Sequence, residues 1–187
     1  MKFKSLIFFL IAFVGIANTS SVAKQITKSG VIEIFSETPM FTIEATNKKV
    51  ASILNPTTGD IVVSTLVRSF KFKEALVEEH FNENYMESAK FPKAIFKGKI
   101  INNKDIDYAK DGRTNIILEG KLTIHGTTKL IKEKGSITIK GGKISAKSEF
   151  DVSLAAYGIK VEKAYKKAIK DAIHLKIHFN FSPYAKK

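Results

Sequence analysis

The stretch EGKLTIHGTTKLIKEKGSITIKGGKISAKSEFDVSL (Glu119–Leu154) decides the fold. It contains three alternating runs in succession, divided at His125–Gly126 and again at Gly141–Gly142. In the last run Ile144, Ala146, Phe150, Val152 and Leu154 share one parity, while Lys143, Lys147, Glu149 and Asp151 share the other. Successive side chains of a strand point to opposite faces, so this run is a strand with one dry face and one wet face. The middle run places Ile137 and Ile139 on its dry side, and the first places Leu122 and Ile124 there. A Gly-Gly pair between such runs is a two-residue hairpin signal, and HGTT also tolerates tight backbone. The stretch therefore reads as an antiparallel meander, half buried along its length.

The same period of two extends outward. NIILEGKLTI adds Ile116 and Leu118 to the face of Leu122 and Ile124. AIHLKIHFNF alternates Ile173, Leu175, Ile177, Phe179 and Phe181 with His174, Lys176, His178 and Asn180. Weaker strands are expected at Gly30–Ser36, Phe41–Ala45, Lys48–Leu54, Gly59–Phe72, Lys93–Ile101 and Ile131–Lys140, with Phe70, Phe72, Phe96 and Ile100 as further inward residues. Two segments break the pattern. FKEALVEEHFNENYMES predicts a short helix, with Leu76, Phe81 and Tyr85 near helical spacing, followed by an irregular link to Phe91–Pro92. VEKAYKKAIKDAI, with Ala164, Ala168 and Ala172 four apart, suits a helical turn or two before the last strand. Eight or more antiparallel strands in one domain avoid sticky edges by closing into a barrel or by forming a two-sheet sandwich. At eight strands a barrel interior is just wide enough to hold one small ligand.

The N-terminus reads separately from this domain. Lys2 and Lys4 precede the apolar run LIFFLIAFVGIA (Leu6–Ala17), which is shorter than the ~20 residues a membrane-spanning helix needs. Ser21, Val22 and Ala23 then fit a small-x-small cleavage rule. Residues 1–23 are expected to be a signal peptide and 24–187 the mature domain, which places the protein in the periplasm or outside the cell. The chain has no cysteine, so this exported domain carries neither disulfides nor a thiolate metal site.

The net charge of +13 is spread as lysine over nearly every segment, and arginine occurs only at Arg68 and Arg113. A nucleic-acid reader concentrates arginine and aromatics on one face, so no nucleic-acid partner is expected. Attraction to an anionic membrane surface is compatible with the lysine excess, and so is a homodimer. Catalytic signals are missing: there is no G-x-S-x-G, H-E-x-x-H or phosphate loop. His174 and His178 share a wet strand face, roughly 13 Å apart by strand rise, too far to chelate one metal. His80 lies in EEHFNE, where it is expected to fix the helix-to-loop link. His125 has the parity of Lys121 and Thr123 and is expected to be a turn-shoulder residue bonding backbone across its hairpin. The acidic pairs Glu78–Glu79 and Asp105–Asp107 read as solvated charge. No catalytic residue, metal or cofactor is expected.

Three motifs in order carry a resemblance: EHFNENYMESAKFPKAIFKGKI (Glu79–Ile100), EGKLTIHGTTK (Glu119–Lys129) and SEFDVSLAAYGI (Ser148–Ile159). Together they resemble the YceI-like family, over most of the chain from about Gly30 to Phe181. The resemblance implies an eight-stranded, lipocalin-like antiparallel barrel around an apolar tunnel for a polyisoprenoid or other long-chain amphiphile. GVIEIFSETPMFTIEATNKKV (Gly30–Val50) departs from the better-known pattern, lacking the histidines expected in the opening strands, so a headgroup contact by those residues does not carry over. On this footing the tunnel lining comprises Phe70, Phe72, Phe96 and Ile100 early in the chain. Ile116, Leu118, Leu122, Ile124, Ile137 and Ile139 follow, then Phe150, Val152, Leu154, Leu175, Ile177 and Phe179. Periodicity alone fits a filled core equally well. A filled, basic barrel that binds an acidic partner through its outer surface is therefore the alternative.

Overall fold

The computed structural model describes residues 23–37, 42–161 and 169–185. Within them the chain forms β1 (Gln25–Glu37), β2 (Thr42–Leu54), β3 (Asp60–Leu66), β4 (Lys71–Phe72), α1 (Ala75–His80), β5 (Lys93–Ile100), β6 (Gly112–Ile124), β7 (Thr127–Lys140), β8 (Lys143–Ser153), β9 (Ala172–Asn180) and β10 (Ser182–Pro183). All pairings are antiparallel, in the order β1-β9-β8-β7-β6-β5-β3-β2, and β2 pairs back onto β1. Eight strands thus close into a barrel, with the two-residue β4 and β10 as appendages. The sandwich alternative is excluded, because closure leaves the eight-stranded sheet no edge.

The meander quoted first is the spine of this barrel. Ile124 pairs with Thr127 across His125–Gly126, and Lys140 pairs with Lys143 across Gly141–Gly142. Both central residues of each turn have positive φ, 48° and 73° in the first turn and 55° and 72° in the second. This is the primed turn that matches strand twist. Glycine adopts that backbone freely, whereas His125 requires other contacts to hold it there.

Boundaries differ from the sequence expectation where polar residues hide in strands. β1 begins at Gln25 instead of Gly30, and β2 is a single strand instead of two. Asn47 interrupts the alternation of β2 yet is fully buried: its Nδ2 donates to Thr65 Oγ1 (2.7 Å) and to the Leu66 carbonyl (3.1 Å). The expected Gly59–Phe72 strand breaks at a 3-10 turn, Val67–Ser69, before β4. The short helix is present and continues as a π turn, Phe81–Tyr85. Leu76 points away from the barrel and is 62 % exposed, while Val77 and Phe81 face inward. The helical turn expected within 161–173 lies mostly outside the described residues; Ala172 and Ile173 at its end belong to β9. The expected signal peptide likewise lies outside the described residues, except Ala23.

Packing is uneven along the barrel. At one end Val50, Leu54, Ile100 and Ile137 are almost wholly buried, and Ile106 from the β5–β6 link joins their cluster. At the other end a second cluster gathers Val67, Met86, Leu122, Val152, Tyr157 and Ile159. Phe81 and Phe96 pack against both clusters.

Candidate ligand cavity

Alternation in a closed barrel fixes which residues face inward, and strand length fixes how deep each one sits. A cavity of about 580 Å³ occupies the barrel interior. That lies within the ~300–1,000 Å³ range of pockets built for small molecules and cofactors. Its floor includes Ile100, Ile116, Ile137, Ala146 and Phe179, all buried. At the opposite side the lining includes the exposed residues Thr42 and Glu74 together with Phe35, Ile43, His80 and Ile169, and the cavity opens there.

Fifteen of the sixteen inward residues named from sequence line this space. Phe70 and Phe72 come from around β4, and Phe96 and Ile100 from β5. β6 contributes Ile116, Leu118, Leu122 and Ile124, and β7 contributes Ile137. Phe150, Val152 and Leu154 lie at the end of β8, and Leu175, Ile177 and Phe179 on β9. Ile139 is the exception. It has the right parity, but it sits two residues beyond Ile137 toward the hairpin, paired with Ile144, and is packed beneath the floor. Parity predicts direction, whereas depth depends on where the strand ends.

The sequence reading omitted other lining residues. Ile32 and Ile34 of β1, Ile61 and Val63 of β3, and Ile131 of β7 all line the cavity, and simple alternation in GVIEIF and DIVVS could have supplied the first four. Val77, Phe81 and Tyr85 come from the helical segment at i, i+4 and i+8. Phe81 closes against Phe72 with ring centroids 4.9 Å apart and meets Phe70 edge-on at 5.8 Å. Glu78 pins the helix to β4, pairing with Lys71 and accepting a hydrogen bond from the Phe72 N–H at 3.2 Å.

His125 lies outside this cavity. Its Nε2 is 2.9 Å from Glu87 Oε1, and its ring meets Phe91 edge-on at 4.6 Å. The expected bond to hairpin backbone is therefore replaced by a carboxylate on the link between the π turn and β5. That bond, together with the neighbouring Lys90, holds the Glu87 carboxyl below its ordinary pKa. The histidine fastens the β6–β7 turn to the segment that covers one end of the barrel. His174 bonds Asp151 Oδ1 at 2.7 Å on the outer face, and no cluster of three metal-ligating groups occurs among the described residues.

Among the described residues, the barrel strands bring two charged residues to the cavity lining, Glu133 of β7 and Lys147 of β8. Glu133 occupies an inward position of β7, where burial and then the charge of Asp151 raise its pKa. Burial also raises Tyr157, and Glu133 contributes to that shift.

A model of the YceI-like domain matches residues 16–181. The chain belongs to the YceI-like family. Among solved structures the barrel is similar to a polyisoprenoid binding domain from Saccharophagus degradans, implicated in plant cell wall breakdown. That similarity has a TM-score of 0.75 at 11 % identity, covering 87 % of this chain and 99 % of the other. It is also similar to Burkholderia cenocepacia BcnA, with a TM-score of 0.67 at 16 % identity, covering 82 % of this chain and 96 % of that one. The Campylobacter jejuni YceI protein matches with a TM-score of 0.56 at 15 % identity, over 100 % of both chains. At these identities the likeness establishes the lipocalin-like fold. None of the curated protein sequences matches this chain.

Proposed function

We propose that this YceI-like protein is an exported carrier that holds a long-chain amphiphilic lipid, an isoprenoid being the leading candidate, in its barrel. The observation that carries this reading is the 580 Å³ cavity, walled almost entirely by aliphatic and phenyl side chains. A filled barrel acting through its outer surface would need those side chains to meet in the middle. Burial of each methylene is worth ~0.8 kcal/mol, so ten contribute about 8 kcal/mol, roughly micromolar affinity before ordering costs are subtracted. No strong polar contact is required for retention. The fold it shares with a polyisoprenoid binding domain supports the same reading. Binding without chemical conversion is part of the proposal, as is removal of residues 1–23 during export to the periplasm or beyond.

Titrating the delipidated mature chain with a twenty-carbon isoprenoid alcohol tests the reading. Saturable 1:1 uptake, followed by calorimetry, is expected. Uptake that never saturates, or none at all, would count against a defined internal site.

A further inference from the structure

The cavity is blind at one end, and the register of three strands shows how. Ile137 pairs with Ala146 across β7 and β8, and Ala146 pairs with Phe179 across β8 and β9. This row lines the cavity, and each of its members is buried. The Phe179 ring also covers Gly30 of β1, where a Cβ would lie 2.4 Å from the ring. Below the row, Ile139, Ile144 and Phe181 belong to the same buried cluster as Val50, Leu54 and Ile106, and none of these six lines the cavity. The Phe181 N–H donates to the Ile144 carbonyl at 2.8 Å and fixes that lower layer. A bore running from end to end would leave these side chains facing it.

Depth and width follow from the same register. β6 lines the cavity from Ile116 to Ile124, and β7 lines it from Ile131 to Ile137. At ~3.4 Å per residue and a strand tilt of ~40°, these spans are about 21 and 16 Å along the barrel axis. A saturated chain with bonds of ~1.5 Å and angles near 111° advances ~1.25 Å per carbon, so about 13 to 17 carbons fit in line. The 580 Å³ volume spread over that depth gives a mean section of about 28 to 37 Å². Hydrocarbon chains in contact at ~4.5 Å occupy ~20 Å² each, so one chain with methyl branches fits and two abreast do not. An isoprenoid of four units has a main chain of about sixteen carbons, so it matches as well as a straight chain of that length.

We propose that the Ile137–Ala146–Phe179 row is a chain-length stop, and that the pocket takes a single hydrocarbon tail of about sixteen main-chain carbons. Two-tailed lipids are excluded by width, and the surplus of a longer tail stays outside the mouth. This rests on the lipid-binding reading and specifies the number and length of the tails.

Eqimolar pairs of straight-chain alcohols two carbons apart, from ten to twenty-four carbons, would compete for the delipidated mature protein. Intact-complex mass spectrometry reads the bound ratio. Below the stop both added methylenes are buried, and the longer alcohol is expected to win by about ten-fold. Beyond about eighteen carbons the added methylenes lie outside, and the ratio is expected to fall within about two-fold. Ala146→Phe raises the floor into existing space and should move the break to chains about four carbons shorter. Ile137→Ala opens the floor and should move it about two carbons longer. Ratios within one variant cancel any general change in stability, and the two variants act in opposite directions, so either one alone tests the stop. A ten-fold preference that persists to twenty-four carbons, two sixteen-carbon alcohols per protein, or a break that neither variant moves would overturn the stop and leave lipid binding standing. If no alcohol binds, the lipid-binding reading falls and the stop falls with it.

Discussion

Filling the cavity should abolish binding without unfolding the barrel, and Leu118→Trp is the sharpest way to do it. Leu118 projects from the middle of β6 into the space, is half-buried, and packs against the floor cluster. The indole adds six non-hydrogen atoms to an existing void, so it displaces ligand instead of crowding neighbouring side chains. If those atoms take the place of about four methylenes, the loss is about 3 kcal/mol at ~0.8 kcal/mol each, or roughly two hundred-fold in affinity. The chain has no tryptophan of its own, so the new side chain is also the sole indole fluorophore. A blue-shifted emission would confirm that it lies in the cavity, and calorimetric titration with a twenty-carbon isoprenoid alcohol would give the affinity. Leu66→Trp is the control, because Leu66 lies on the outer face of β3 and is 49 % exposed. Wild-type affinity in Leu118→Trp, with buried emission, would show that the ligand does not occupy this level of the barrel and would refute the reasoning.

Four further outcomes follow from the packing and electrostatics. A Cβ at Gly120 would lie 2.4 Å from Gly98 Cα and 2.5 Å from the Lys97 carbonyl, so Gly120→Ala must push β5 and β6 apart, costing ~1–3 kcal/mol or more in urea unfolding. Gly112→Ala, with nothing within 4 Å, should stay within ~0.5 kcal/mol of wild type. The Glu87 pKa is depressed in the folded state, first by its bond to His125, so its contribution is present above the ordinary carboxylate range and lost as pH falls through the depressed value. Glu87→Gln should therefore melt below wild type near pH 7 and level with it near pH 2. Glu133 has the opposite sign: its raised pKa means the native state holds the proton longer, and stability falls as pH rises through that window. Glu133→Gln should melt above wild type near pH 7, with the gap closing near pH 3. Thermal melts at both ends of the range check the last two.

Strand direction was legible wherever one face is apolar and the other charged. The run from Glu119 to Leu154 yields two hairpins, their turn positions and the inward parity without further information. Legibility failed where polar groups are buried by pairing with one another. Asn47 and Thr65 satisfy each other inside β2 and β3, so a strand that reads as broken is continuous. Within the helical segment, Leu76 and Val77 are equally apolar neighbours, and only the angle at which the helix docks decides that Val77 faces the cavity. The hollow interior was the least legible feature. An isoleucine facing a void and one facing another isoleucine have the same periodicity, as Ile137 and Ile139 demonstrate two residues apart. Glu133 was hidden for a related reason. In KLIKEKG it reads as one more charge in a charged run, although it shares the parity of Ile131 and Ile137 and lines the cavity with them.

The most direct test of the central claim is an intact-complex mass spectrum of the mature protein purified under gentle conditions, with organic extraction of whatever it carries. A stoichiometric adduct that yields a long-chain amphiphile is the predicted result. A clean apo mass, together with no uptake when isoprenoid lipids are added back, would contradict it and shift attention to the basic outer surface.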